Sequence, residues 1–267
     1  MTLDSHRHFW HYNTDEFGWI AEDALKRDFL HEDAAAFDPC VAIEARQSEE
    51  ETKWLIKLAK ANPAIRGVVG WLDIASGDFP SILDEYAEEE KLVGLRHVVQ
   101  DEPDDAFILR KDFVRGVKHL LREGFTYDIL VFERQLENAT RFVDELPCDG
   151  RLVLDHMGKP ADFATWQKRI RSLGRRENVY CKLSGLVTET GRVDFTPYLD
   201  TVLQAFGAKR VMFGSDWPVV SAHMPYPEWK DTVEDYISQF SADERNAIMC
   251  ANAERFYLKP QTRSMTK

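Results

Sequence analysis

The chain has 267 residues, enough for one large domain, and 44% of them are apolar, enough to fill a sizeable core. Acids outnumber bases 46 to 34, and the net charge of −12 disfavours nucleic acid and anionic membrane as partners. No basic-then-apolar leader and no long apolar run occurs, so a cytoplasmic location without membrane insertion is expected.

Short β-branched runs alternate with amphipathic stretches along the chain. The first, 3–9, contains Asp4-Ser5-His6-Arg7-His8-Phe9-Trp10, and in an extended strand His6 and His8 must point to the same side. The second, 40–45, brings Glu44 to its end. Ser48-Glu49-Glu50-Glu51 then reads as a capping box opening a helix that buries Trp54, Leu55 and Leu58 and stops at Asn62-Pro63. Strands follow at 67–72, which ends in Trp71-Leu72, and at 92–98, which ends in Arg96-His97. Phe113, Val114, Val117, Leu120 and Leu121 make an apolar helical stripe halted by Gly124. The strand at 127–132 starts with Tyr127-Asp128, and that at 152–156 ends in Asp155-His156. In the strand at 179–183, Lys182 can face either the mouth or the helix layer. A second stripe, Leu199, Val202, Leu203 and Phe206, stops at Gly207 before the last strand, 210–213, runs into Gly214-Ser215-Asp216-Trp217-Pro218. Ser241-Ala242-Asp243-Glu244 opens a final short helix, after which Arg255-Phe256-Tyr257 is expected to pack back on the body. The scattered Cys40, Cys148, Cys181 and Cys250 read as small core residues.

Eight strand and helix alternations without linker or repeat predict an α/β fold, a single (β/α)8 barrel over 1–267. A doubly wound sheet is the alternative, but no glycine-rich turn follows the first strand, which argues against its dinucleotide-binding form. In a barrel the chemistry sits at the C-terminal strand ends. His6 and His8, Arg96 and His97, His156, and Asp216 would therefore converge on one mouth, with Trp10, Trp71 and Trp217 near it.

The segments His6-Arg7-His8-Phe9-Trp10, Leu154-Asp155-His156-Met157-Gly158-Lys159-Pro160, Lys182-Leu183-Ser184-Gly185, Phe213-Gly214-Ser215-Asp216-Trp217-Pro218 and Asn252-Ala253-Glu254-Arg255-Phe256-Tyr257 closely resemble the lactonase branch of the amidohydrolase superfamily. That branch contains L-fuconolactonases, L-rhamnonolactonases and pyrone-dicarboxylate lactonases. The resemblance implies a barrel hydrolase of a small cyclic ester, with a lactone as its small-molecule partner and oligomerisation left open. Binuclear members of the superfamily carry a lysine at the end of strand four that bridges two ions. Here that strand ends Leu95-Arg96-His97, so a bridged pair is not expected.

Opening a lactone needs a water deprotonated as it attacks, and hydrogen-bond donors where the carbonyl oxygen gains charge. Asp216 is the candidate base. His6, His8 and His156 would hold one divalent ion together with Asp216, zinc by ligand type, or polarise the substrate directly, since the branch includes metal-independent members. Glu44 could add a metal ligand, with an ion pair to Arg46 as the plainer reading. Arg96, His97 and Gln100 are candidate substrate contacts, with ion pairing of Arg96 to Asp101 or Glu102 as the alternative; Trp71 and Trp217 are candidate stacking surfaces. The scarcity of arginines at the mouth favours an L-sugar lactone of the fucono, galactono or rhamnono type over a dicarboxylate lactone. A metal-dependent decarboxylase of the same superfamily is the competing activity.

Overall fold

In the computed structural model, which describes residues 1–34 and 36–258, the apolar runs become eight short strands. They are β1 (Asp4–Arg7), β2 (Cys40–Ile43), β3 (Ile65–Gly70), β4 (Leu92–His97), β5 (Thr126–Ile129), β6 (Leu152–Leu154), β7 (Val179–Leu183) and β8 (Val211–Phe213). Each pairs in parallel with the next. The ring closes where β1 meets the segment after β8: the Asp216 amide donates to the His6 carbonyl at 2.9 Å, and the His8 amide to the Trp217 carbonyl at 2.7 Å. Closure removes the sheet edges and makes the expected (β/α)8 barrel. It also ties the two sequence motifs richest in titratable groups directly together.

The surrounding helices are α1 (Glu49–Ala61), α2 (Phe79–Asp84), α3 (Lys111–Arg122), α4 (Leu136–Glu145), α5 (Phe163–Leu173), α6 (Leu186–Thr190), α7 (Thr196–Phe206), α8 (Tyr226–Ile237) and α9 (Ala242–Asn246). Ser48 caps α1 by accepting from the Glu51 amide, but the face of α1 that is fully buried is Leu55, Ile56 and Ala59, with Trp54 and Leu58 half-buried. The stripe on α3 is buried throughout. Ser241 and Glu244 form the capping box of α9. Between β1 and β2 the described residues form two 3-10 turns, Asp23–Leu25 and His31–Ala34, and an isolated antiparallel bridge between Trp10 and Phe29, and this loop buries Trp10, Phe17 and Phe29 in the core. At the opposite end the chain's last described turns plug the barrel, where Phe256 and Tyr257 pack on Leu3, Val41, Val69, Val93, Val153 and Met212. All four thiols are free; Cys40, Cys181 and Cys250 are buried, whereas Cys148 is exposed, contrary to its expected core position. No helix of the described residues is long and apolar enough to cross a membrane.

The β2–α1 loop is held by a carboxyl group. Glu51, 3% exposed, accepts from the amides of Ala45 and Arg46 at 3.0 and 2.8 Å. Burial, aided by the nearby Glu44, pushes its pKa from the ordinary 4.5 up to about 8. The folded pKa lies above the unfolded one, so this contribution to stability is complete below about 4.5 and is lost as the pH rises to about 8. Glu51→Gln keeps an acceptor and removes the titration. At pH 5 it is expected to match the parent, and at pH 8.5 to exceed it by about 2–4 kcal/mol at about 1.4 kcal/mol per pKa unit. Parallel stability curves in urea across this range would refute the assignment.

Candidate active site

His6 and His8 project from the end of β1 to the same side, and their Nε2 atoms are 3.1 Å apart. The backbone that carries them is fixed by Asp4, which accepts from the His6 amide at 3.1 Å, from the Ser215 amide at 2.8 Å and from the Ser215 hydroxyl at 2.6 Å, and which pairs with Arg7 at 2.9 Å. This buried lattice also sets the Gly214-Ser215-Asp216 turn. The His8 ring is oriented by its Nδ1, 3.0 Å from the Ile43 carbonyl, and the His156 ring by its Nδ1, 2.9 Å from the Ser184 hydroxyl.

Three imidazoles surround one carboxylate oxygen. Asp216 Oδ1 lies 3.4 Å from His8 Nε2, 3.8 Å from His6 Nε2 and 3.9 Å from His156 Nε2. Both Asp216 (φ 60°) and His156 (φ 50°) are held in the left-handed region, a conformation costing about 1–3 kcal/mol at a non-glycine residue and concentrated at functional sites. Gly185 makes room for this: a Cβ there would lie 2.7 Å from His156. Burial alone would raise the Asp216 carboxyl, but His156, His8 and His6 outweigh it and hold the group well below the usual carboxylate range. Burial also pushes His156 down to about 4, and burial together with Lys182 keeps His6 well below its ordinary value. Both rings are therefore neutral near pH 7, where they offer Asp216 dipoles and N–H groups.

Beneath these rings lies a charged layer that the sequence reading did not resolve. Arg96 is 4% exposed and donates from Nε to Glu44 Oε1 at 2.7 Å, from Nη2 to the Glu44 carbonyl at 2.5 Å, and from Nη1 to Asp155 Oδ2 at 3.1 Å. It pairs with neither Asp101 nor Glu102. Glu44 correspondingly binds Arg96 and not Arg46, which pairs with Glu16 at 2.5 Å. Lys182 points into the barrel, 2.6 Å from Asp128, 2.9 Å from Asp155 and 3.0 Å from His6 Nδ1. The Tyr257 hydroxyl reaches Asp128 from below at 2.8 Å.

Above the carboxylate opens a cavity of about 680 Å3 lined by His8, His156, Asp216, Arg96, Gln100 and, from the β1–β2 loop, Trp19. His6 lies just under this lining. His97 and Trp71 stand outside it, hydrogen-bonded to each other at 3.3 Å, and His97 pairs with Glu102 at 2.7 Å. Trp217 is packed among Phe9, Phe29 and Phe37. The indole at the mouth is Trp19, 46% exposed and pinned by its N–H to the Ala45 carbonyl at 3.1 Å.

Strand ends bring three histidines and an aspartate together at one mouth of the barrel, an arrangement of the class of (β/α)8 hydrolases. The chain belongs to the amidohydrolase family, whose profile matches residues 3–259. It is 38% identical to an L-fucono-1,5-lactonase of Burkholderia multivorans over 98% of this chain and 97% of that protein, and 31% identical to an L-fucono-1,5-lactonase of Burkholderia ambifaria over 96% and 94%. A crystal structure of an amidohydrolase from B. multivorans with bound zinc superposes with a TM-score of 0.91, at 38% identity, covering 97% of this chain and all of that one.

Proposed function

We propose that this protein hydrolyses a sugar-acid lactone, of the L-fucono, L-galactono or L-rhamnono type, to the open-chain acid. The observation that carries this reading is a buried carboxylate facing three imidazole Nε2 atoms on the floor of a cavity whose cations are already paired. Arg46 is neutralised by Glu16, Lys159 by Glu189 and Arg96 by Glu44 and Asp155, so no lining arginine or lysine is left to clamp a second carboxylate. Gln100 Oε1 and Thr188 Oγ1, on lining side chains, have no protein partner, which suits a hydroxylated ring. Trp19 supplies the flat apolar surface such a ring meets. The curated relatives support the same substrate class.

In this reading Asp216 takes a proton from a water as its oxygen adds to the lactone carbonyl carbon. The carbonyl oxygen becomes an oxyanion that the imidazole N–H groups stabilise. When the ring C–O bond breaks, the carboxyl of Asp216 returns its proton to the leaving alkoxide. Arg96 and Gln100 lie where they can orient the ring. The donor set of imidazole nitrogens and one carboxylate oxygen, all within 4.8 Å of one another in the group His6, His8 and Asp216, fits a single zinc ion. His6, His8, His156 and Asp216 would hold it, and it would supply Lewis-acid polarisation of a bound oxygen.

Proton release across a lactone panel tests the substrate class. The best sugar lactone is expected to exceed every pyrone dicarboxylate and muconolactone in kcat/KM by about a hundredfold or more, about 2.7 kcal/mol of transition-state discrimination. A dicarboxylate lactone as the best substrate, or carbon dioxide release in place of ring opening, would overturn the reading.

A further inference from the structure

One wall of the cavity comes from a piece of chain that is barely tied to the barrel. Residues 13–20, in the β1–β2 loop, place Glu16 and Trp19 in the lining. Among the described residues, two polar contacts join them to the barrel: the Trp19 indole N–H donates to the Ala45 carbonyl at 3.1 Å, and Arg46 Nη1 pairs with the Glu16 carboxylate at 2.5 Å. We propose that this segment is a lid over the lactone cavity, and that Glu16 and Arg46 are positioning residues that latch it shut, neither of them touching the substrate. The consequence for catalysis rests on the lactonase reading, but the geometry of the latch does not.

The stem of the loop is fixed and its tip is not. Trp10 and Phe29 exchange backbone hydrogen bonds of 2.9 Å each, the Trp10 indole donates to the Arg27 carbonyl at 2.8 Å, and the Tyr12 amide donates to Asp28 at 2.8 Å. Beyond that bridge the backbone hydrogen bonds of 13–20 all close within the segment: the Glu16 and Phe17 amides donate to the Asn13 carbonyl at 3.2 and 3.0 Å, and the Ile20 amide to the Phe17 carbonyl at 3.0 Å. The tip is thus a small unit of its own on a pinned base. Its rings pack on that base, Phe17 and Trp19 lying 5.8 and 5.7 Å from Trp10 between centroids, which makes Trp10 the pivot. On the barrel side, the buried Glu51 grips the amides of Ala45 and Arg46 at 3.0 and 2.8 Å. Both contacts of the lid therefore land on backbone that is held in place without it.

A guanidinium that lines a cavity has a competing role, as a clamp on the lactone carbonyl or on the carboxylate of the product. The contacts of Arg46 decide against it. Glu16 holds Nη1, the Phe17 ring stands 5.8 Å from the guanidinium carbon, and Nε is buried without a hydrogen-bond partner. A buried Nε cannot be reached from the cavity, so with the lid shut one arm of the fork that grips a carboxylate is closed off and another is taken. The Arg46 and Glu16 side chains are 25% and 44% exposed, and an ion pair so exposed is weak. That suits a latch that must open twice in each turnover, once to admit the lactone and once to release the acid.

Hydrogen exchange read by mass spectrometry follows the lid in the full-length enzyme without reference to turnover. Glu16→Gln and Arg46→Gln are each expected to speed exchange in peptides covering 13–20 by about three- to fivefold, while peptides of the pinned stem at 27–29 exchange as in the parent. The double variant should be no faster than either single, because all three lack the same ion pair. Each single should raise KM for the best lactone by about threefold and change kcat by less than about twofold. Raising potassium chloride from about 0.05 to about 0.5 M should move the KM of the parent towards that of the variants and leave theirs flat. Opposite effects of the two single substitutions on KM would overturn the proposal and make Arg46 a direct substrate contact, since removing Glu16 would then free the guanidinium for the ligand. Unchanged exchange in both variants, or additive effects in the double, would overturn it as well. Exchange that behaves as expected in an enzyme that opens no lactone would overturn the activity while leaving the latch standing.

Discussion

Asp216→Asn is expected to fold, to bind lactone as tightly as the parent, and to lose about three or more powers of ten in kcat, because it removes an acceptor of the proton that moves only in the transition state. The substitution is unusually clean at this position. Asp216 sits at φ 60°, where asparagine is among the few side chains tolerated, so the amide adds no backbone strain that alanine would. It also keeps the volume between His8, His6 and His156, whose Nε2 atoms stand 3.4, 3.8 and 3.9 Å from Oδ1. Pre-steady-state turnover together with calorimetric binding of an unreactive lactam separates the chemical step from affinity. Turnover within tenfold of the parent would place the base elsewhere.

The fold was legible because its signals are periodic and local. The β-branched runs, the Ser48 and Ser241 caps and the stripe from Phe113 to Leu121 each specify an element without reference to the rest of the chain. The floor of the site was legible for the same reason: the two-residue spacing of His6 and His8 forces them to one side, and His156 and Asp216 terminate strand-like runs. What was not legible was facing. In a parallel barrel both faces of a strand are buried, so apolar alternation fades. Lys182 lies between Cys181 and Leu183, which pack towards the helices, and so must point inwards, yet nothing in the run itself chooses that side. Its partners Asp128 and Asp155 come from β5 and the turn after β6, and Arg96 finds Glu44 across two strands rather than its sequence neighbours. The aromatic lining failed for a related reason. Trp217 turns into packing and Trp71 bonds to His97 outside the cavity, while Trp19, in a loop with no periodic signal, reaches the mouth.

Arg96→Ala carries the largest expected loss of stability. Read from the sequence, Arg96 orients the lactone, and its removal raises KM and lowers kcat together. Its place in the structure adds a prior effect: the guanidinium is the shared partner of Glu44 and Asp155, both fully buried, and Glu44 Oε2 already lacks a hydrogen-bond partner. Deleting one member of a buried ion pair leaves uncompensated charge and costs about 3–5 kcal/mol, here with two carboxylates stranded at once. At about 2–4 °C per kcal/mol for a chain of this size, the melting temperature should fall by about 10 °C or more. Arg96→Lys keeps the charge but lacks the planar fork that reaches both carboxylates, so it should fall between the two. Adding Glu44→Gln to Arg96→Ala should recover part of the stability without restoring turnover, since the buried charge is relieved but the ring-orienting group is still missing. An Arg96→Ala protein as stable in urea as the parent, with only its KM raised, would show that Arg96 serves the substrate alone and that the carboxylates beneath it are held by Lys182.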